Sequence, residues 1–483
     1  MKTPQHPIRL LTLSLCAALL LAVTGCQQQP TDIRDKTAKV SNVTSVVSDV
    51  SLPSHSESSL WTPSTDTDSR LSDADSSTDS SIGTSEDTSE STSQTTSIDS
   101  SEGHPSESSP EDDASSTVSA SSVTEESSES IFFHVPDEFL DGGIFSDYYE
   151  DAYRYMSQMS LEEKIGQMLF ASLPYDEPIE TATLYHLGGY VLFGDDFAGQ
   201  TKDSVKSMLN SLSIAQKVPL AFAVDEEGGT VTRISGKPAL SDHEFESPRT
   251  LYKNGGLAFI QSDADEKATL LHELGLNINL APVCDIATNK KDFMYDRSLG
   301  QDAATTAEFV RIVTQMSQMR GVSVTLKHFP GYGQNVDTHT GIAVDKREMK
   351  AFEENDFLPF QAGIQAGAHC VMVSHNIVEC MDKEHPASLS PEVHQILREQ
   401  LGFSGLIMTD DLGMGAITQY TGQYTPAVAA VLAGNDVLAL NSSMVDSSFT
   451  SILEAVNSGV LTEKSIDHAV LRILAWKYAT ALM

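Results

Sequence analysis

Between residues 160 and 441 one pattern repeats eight times: a short apolar run, one or two polar residues, then a stretch with helical spacing. The apolar runs lie at 167–172, 188–193, 220–224, 278–283, 322–326, 370–373, 405–408 and 437–440. Short, nearly continuous apolar runs of this kind read as strands buried on both faces, which is the situation of strands in a parallel sheet covered by helices. The intervening segments supply the helices. Val205, Met208, Leu209 and Leu212 share one face, and 263–274, 307–319, 357–366, 393–401 and 426–433 follow, with the last helices from 449 onward. Ser160-Leu161-Glu162-Glu163 has the form of a capping box, with Ser at the cap and Glu three residues later. Eight strand–helix units in about 330 residues predict a single (β/α)8 TIM barrel of the α/β class, spanning 132–483.

A doubly wound sheet would also be parallel. The polar residues at the strand ends decide for the barrel. Asp225 follows the third run, Asp285 the fourth, Lys327 and His328 the fifth, Ser374 and His375 the sixth, Asp410 and Asp411 the seventh, and Asn441 the eighth. In a barrel these ends converge on one mouth, where the chemistry of such folds resides; in an open sheet they spread along an edge.

The residues ahead of the barrel have a different character. Lys2 and Arg9 precede an apolar core at 10–23, too short to span a bilayer and flanked like an export signal. It closes on Val23-Thr24-Gly25-Cys26, which resembles a bacterial lipobox. That resemblance implies a lipoprotein signal peptide over 1–25, cleavage before Cys26 and lipid attachment to its sulfur; an ordinary signal peptide is the plainer alternative. Roughly half of residues 41–130 are Ser or Thr with scattered acids. Such a composition cannot bury enough apolar surface to offset ordering entropy, so 26–131 is expected to be a disordered tether. The expected location is the extracellular face of the cell membrane, held by the lipid anchor.

The net charge of −38 is uneven: residues 27–133 hold about 21 acidic residues against about 4 basic. This balance argues against nucleic acid as a partner, because phosphate binding needs basic surface. Of five cysteines, Cys16 is expected to leave with the signal and Cys26 to carry lipid. Cys284, Cys370 and Cys380 have neither the pairing of a disulfide framework nor metal-ligand spacing, and Cys284 and Cys370 read as small core residues.

Three stretches carry candidate chemistry. Val224-Asp225-Glu226-Glu227-Gly228-Gly229 ends the third strand with three carboxylates and a glycine pair suited to a tight turn or close ligand approach. Met408-Thr409-Asp410-Asp411 ends the seventh; Asp410 belongs to the strand end, whereas Asp411 reads equally well as a helix N-cap. Lys327-His328-Phe329-Pro330-Gly331-Tyr332-Gly333 leaves the fifth strand and leads to Asp337-Thr338-His339. A carboxylate nucleophile and a proton donor suffice to split a glycosidic bond with retention. An imidazole with an intrinsic pKa of about 6.5 gives and takes a proton near neutrality, and Asp337 is placed to fix the tautomer of His339. On a long loop this pair is expected to close over substrate.

Together with Asp296-Arg297-Ser298 and Leu161-Glu162-Glu163-Lys164-Ile165-Gly166-Gln167-Met168, these motifs resemble the β-N-acetylglucosaminidase branch of glycoside hydrolase family 3, in the right order from about 160 to 441. The resemblance implies that Asp410 is the nucleophile and His339 the acid/base, with Asp337 its partner. It implies that Asp225, Arg297, Lys327 and His328 hold the terminal N-acetylglucosamine, and that no metal or other cofactor takes part. A monomer is expected, without the second C-terminal domain of some relatives. The chain departs from the family where Tyr332 replaces His and Thr230 replaces Arg. The reading is a surface-displayed exo-β-N-acetylglucosaminidase acting on cell-wall fragments or related glycans. Two alternatives stay open. One is a phosphorylase, since an imidazole acid/base repels an incoming phosphate less than a carboxylate does; the other is a catalytically silent glycan-binding surface protein.

Overall fold

The computed structural model describes residues 134–333, 341–414, 417 and 420–483. The expected signal peptide, the tether with Cys26, and the pair Asp337 and His339 lie outside these residues. Eight parallel strands form the centre: β1 Leu169–Ser172, β2 Gly189–Leu192, β3 Ala221–Val224, β4 Ile278–Asn279, β5 Ser323–Phe329, β6 Cys370–Val373, β7 Leu406–Thr409 and β8 Leu438–Leu440. The sheet order is β8-β1-β2-β3-β4-β5-β6-β7. A parallel bridge between Met408 and Val437 then joins β7 to β8 and closes the ring. The Thr409 N–H donates to the Val437 carbonyl and the Val437 N–H to the Ile407 carbonyl, each at 3.0 Å. The expected (β/α)8 barrel is therefore the fold.

Helices cover the outside of the ring. On β5, Phe329 stacks on Phe357 with ring centroids 5.7 Å apart and meets Phe360 edge-on at 5.2 Å. Both partners belong to the helix Phe357–Gln365, and each aromatic pair contributes about 1 kcal/mol beyond its buried area. The expected capping box opens the helix Leu161–Gln167: the Glu163 N–H donates to Ser160 Oγ and the Ser160 N–H to Glu163 Oε2. Satisfying two otherwise unpaired donors fixes where this helix starts. Cys284 and Cys370 are buried in the core as expected.

Three elements differ from the sequence reading. The fourth strand, expected over 278–283, pairs regularly only at Ile278–Asn279, because Pro282 has no N–H to give to a ladder. The fifth runs further than 322–326. It continues through Phe329 with a register shift against β6 between Leu326 and Phe329, so Lys327 and His328 sit within the strand rather than past it. The helix expected at 263–274 begins at Pro248 behind the cap Ser247 and breaks at Gly256, whose φ of 61° lies outside helical space.

Candidate active site

The C-terminal ends of the strands enclose a cavity of about 310 Å³, lined among others by Asp225, Arg233, Arg297, Lys327, His328 and Asp410. The register shift in β5 explains how the consecutive residues Lys327 and His328 both face it, since an irregularity of this kind re-aims a side chain that a regular strand would send to the other face.

One wall is a charge cluster. Lys327 Nζ lies 2.7 Å from Asp225 Oδ1 and 2.6 Å from Glu227 Oε1. Arg297 donates to Glu227 through Nε at 2.9 Å and Nη2 at 2.6 Å. Burial alone would push the Glu227 carboxyl up; the adjacent Lys327 and Arg297 outweigh it and lower it to about 2. Burial works against the charge of Lys327 in turn, but Asp225 and Glu227 raise its pKa and keep it an ammonium. The glycine pair beside these carboxylates serves the protein's own backbone. A Cβ on Gly228 would meet the Glu246 carbonyl at 2.3 Å, and the Gly229 N–H donates to the Phe245 carbonyl.

A second wall is built on Asp285. One of its carboxylate oxygens lies 2.8 Å from His328 Nδ1 and accepts the His328 N–H at 3.2 Å; the other accepts the Tyr332 N–H at 2.6 Å. Nε2 of His328 is thereby turned toward Arg297 Nη2, at 3.4 Å. Tyr332, where the family pattern has His, is buried and packs edge-on to the His328 ring. Thr230, the other departure, is exposed in the turn after the glycine pair.

The third wall holds Asp410. Its N–H donates to the Val373 carbonyl, and its Oδ1 accepts the Asp411 N–H at 2.9 Å. Among the described residues no cation lies within ion-pair distance of its carboxylate. Burial tends to raise its pKa, but the His375 and His328 imidazoles, the Asp411 N–H and Lys327 prevail and hold it below the ordinary carboxylate range. Asp411, raised chiefly by burial, turns the loop by accepting the Gly413 N–H at 2.8 Å. His375 lies behind the pair, with Nε2 at 3.0 Å from the Asp411 carbonyl and Nδ1 at 2.7 Å from Ser388 Oγ. A carbonyl only accepts, so Nε2 carries the proton.

Of the residues singled out from sequence, Asp225, Arg297, Lys327, His328 and Asp410 thus share one cavity. Asp337 and His339 lie outside the described residues. The sequence reading missed Arg233, whose guanidinium lies 3.5 Å from Asp225 Oδ2 and 5.8 Å from the Phe193 ring. Glu226, read from the sequence only as one of three strand-end carboxylates, holds Arg233 in place. The Glu226 carboxylate accepts the N–H groups of Arg233, Ile234 and Ser235 and the Ser235 hydroxyl. A lone arginine four residues past a glycine pair was the one available signal.

The sequence profile described as the glycosyl hydrolase family 3 N terminal domain matches residues 160–476. The chain belongs to glycosyl hydrolase family 3. Within family 3 it falls in the β-N-acetylglucosaminidase branch. A β-hexosaminidase of Xanthomonas campestris pv. campestris is 35% identical over 257 residues, covering 52% of this chain and 76% of the relative. The structure of a family 3 β-N-acetylglucosaminidase from Paenibacillus sp. superposes with a TM-score of 0.62 at 30% identity, covering 67% of this chain. This chain spans only 63% of that protein's length. The β-N-acetylhexosaminidase of Beutenbergia cavernae gives a TM-score of 0.60 at 27% identity, with 66% of this chain and 99% of that one covered.

Proposed function

We propose that this family 3 glycoside hydrolase is a retaining exo-β-N-acetylglucosaminidase that removes terminal β-linked N-acetylglucosamine from cell-wall fragments or related glycans. The observation that carries the reading is Asp410: a carboxylate at a strand end, facing a sugar-sized cavity, held ionised and paired to no cation among the described residues. The other two walls offer the ammonium of Lys327, the guanidinium of Arg297, the imidazole of His328 and the carboxylate of Asp225 to the hydroxyls and acetamido group of the sugar.

An oxygen of Asp410 attacks the anomeric carbon, and the bond to the leaving oxygen breaks as His339 supplies it with a proton. The product of this step is a glycosyl ester on Asp410. His339, now neutral and oriented by Asp337, takes a proton from water as that water attacks the same carbon. The ester breaks and the configuration is retained. The protein is held at the cell surface through lipid on Cys26, as a monomer.

The test is turnover of an aryl β-N-acetylglucosaminide beside the matching glucoside, with and without phosphate, for wild type and for Asp410→Ala. The expected result is hydrolysis of the first substrate only, lost in the variant. In His339→Ala turnover slows, and is partly spared with a good leaving group that needs little protonation. A sugar 1-phosphate as product would make the enzyme a phosphorylase. No turnover with retained sugar binding would make it a glycan-binding protein.

A further inference from the structure

Arg249 stands in the first turn of the helix Pro248–Leu274, directly after Pro248. A cation there meets the positive end of the helix dipole, so helix stability does not explain it. Its side chain instead leaves the helix for the loop that carries Asp296-Arg297-Ser298. Nε donates to the Tyr295 carbonyl at 3.0 Å, and Nη2 donates to the Ala287 carbonyl at 2.7 Å and to Ser298 Oγ at 3.1 Å. The guanidinium carbon lies over the Tyr295 ring, 3.7 Å from its centre. The buried Ser298 hydroxyl ties back to the Ala287 carbonyl at 3.1 Å. Gly300, at φ +73°, leaves the space the guanidinium fills, since a Cβ there would lie 2.0 Å from Nη1. Among the described residues Arg249 has no carboxylate within ion-pair distance. Its planar fork of donors is spent on neutral oxygens of one loop, an arrangement that a lysine's single ammonium cannot reproduce.

Arg297 lies between Tyr295 and Ser298, both held by this guanidinium, while its side chain is held from the other direction by Glu227. We propose that Arg249 is a positioning residue for Arg297, fixing the loop backbone so that the Arg297 guanidinium meets the sugar at the right place and angle. The assignment of the sugar rests on the function proposed above; the pinning of the loop does not.

The experiment compares wild type with Arg249→Met, Arg249→Lys and Ser298→Ala. The readouts are KM and kcat for an aryl β-N-acetylglucosaminide, inhibition by free N-acetylglucosamine, and hydrogen exchange of the amides at 293–299. A contact that serves ground-state binding appears in KM rather than kcat. Arg249→Met is expected to raise KM and the inhibition constant about tenfold with kcat changed less than threefold. Arg249→Lys should fall between it and wild type, and Ser298→Ala should move two- to threefold in the same direction. Exchange in the loop should accelerate in the same order. A merely structural arginine would lower thermal stability and leave these ratios alone. KM and exchange within twofold of wild type in folded Arg249→Met would overturn the proposal. If that variant does not fold, the same result in Arg249→Lys and Ser298→Ala overturns it. Should wild type fail to turn over the substrate while exchange still responds as expected, the functional reading fails and the positioning stands.

Discussion

Arg297 grips both carboxylate oxygens of Glu227, with Nε at 2.9 Å from one and Nη2 at 2.6 Å from the other. Lys327 completes the cluster at 2.6 Å, and the carboxyl is lowered from 4.5 to about 2. A folded-state pKa below the unfolded one stabilises the fold above the unfolded value, and that contribution fades as pH falls through the folded value. The window here runs from about 4.5 down to about 2. Among the described residues Glu227→Gln leaves Arg297 with no carboxylate within ion-pair distance and Lys327 with Asp225 alone, and breaking a buried pair this way costs roughly 3–5 kcal/mol. Urea unfolding at pH 7 should show that loss, and unfolding at progressively lower pH below 4.5 should show it shrinking. A loss independent of pH would contradict the ion-pair account.

Asp410 is held below the ordinary carboxylate range in spite of its burial, chiefly by His375 and then by His328, the Asp411 N–H and Lys327. Its ionised form therefore persists to lower pH than that of an ordinary aspartate. An activated N-acetylglucosaminyl fluoride, slow to deglycosylate, loses fluoride without help from a proton donor, so its labelling rate reports the nucleophile alone. More than half of its pH 7 value should therefore remain at the ordinary Asp value of 3.8. In His375→Gln the fall should move to higher pH, because the largest opposing influence on burial is gone. Labelling followed by mass spectrometry at a series of pH values checks both statements. A wild-type rate already halved at pH 5 would refute them.

The barrel was legible because burial on two faces writes a simple pattern. An apolar run such as Cys370–Val373 has few other places to go, and the polar residues after the runs marked the mouth. The cavity was half legible. Asp225, just past β3, and Lys327, within β5, are 102 residues apart, and only the curvature of the barrel across β4 sets them 2.7 Å from each other. Local pattern could not show that Lys327 and His328 belong to the strand, because the register shift arises from pairing with β6. Nor could it show that Glu226 folds the loop bearing Arg233, or that Arg249 reaches 49 residues forward to Ser298. These are side-chain hydrogen bonds, the first set within one loop and the second from a helix to a loop, and hydropathy carries no record of them.

Asp285 was expected only as a polar residue after a strand, yet it meets both the backbone and the ring of His328. A carboxylate accepting from Nδ1 fixes which nitrogen faces the cavity. Asp285→Asn keeps the size and one acceptor but loses the charge and presents an amide donor to one of these groups. It should lower kcat/KM for an aryl β-N-acetylglucosaminide by about tenfold, the scale of one charge-assisted hydrogen bond. The accompanying thermal shift should be small compared with that of Glu227→Gln. Steady-state kinetics beside thermal unfolding checks this, and unchanged kinetics would mean that the orientation of His328 does not matter.

The opposite end of the barrel offers a control. Asp436, just ahead of β8, takes Arg398 Nη2 at 2.6 Å, Arg472 Nη1 at 3.0 Å and the Ile407 N–H at 2.8 Å. One buried carboxylate thus ties two outer helices to β7, far along the strands from Asp410. Polar groups at this face of a barrel serve stability rather than chemistry. Asp436→Asn leaves two guanidiniums without their shared counter-charge and should cost roughly 3–5 kcal/mol. Activity per folded molecule should stay within twofold at a temperature where the variant remains folded, because among the described residues no hydrogen bond or ion pair joins Asp436 to a residue lining the cavity. Urea midpoints and active-site titration by the fluorosugar separate the two quantities. A fall in kcat at full labelling would mean that the two ends of the barrel are coupled.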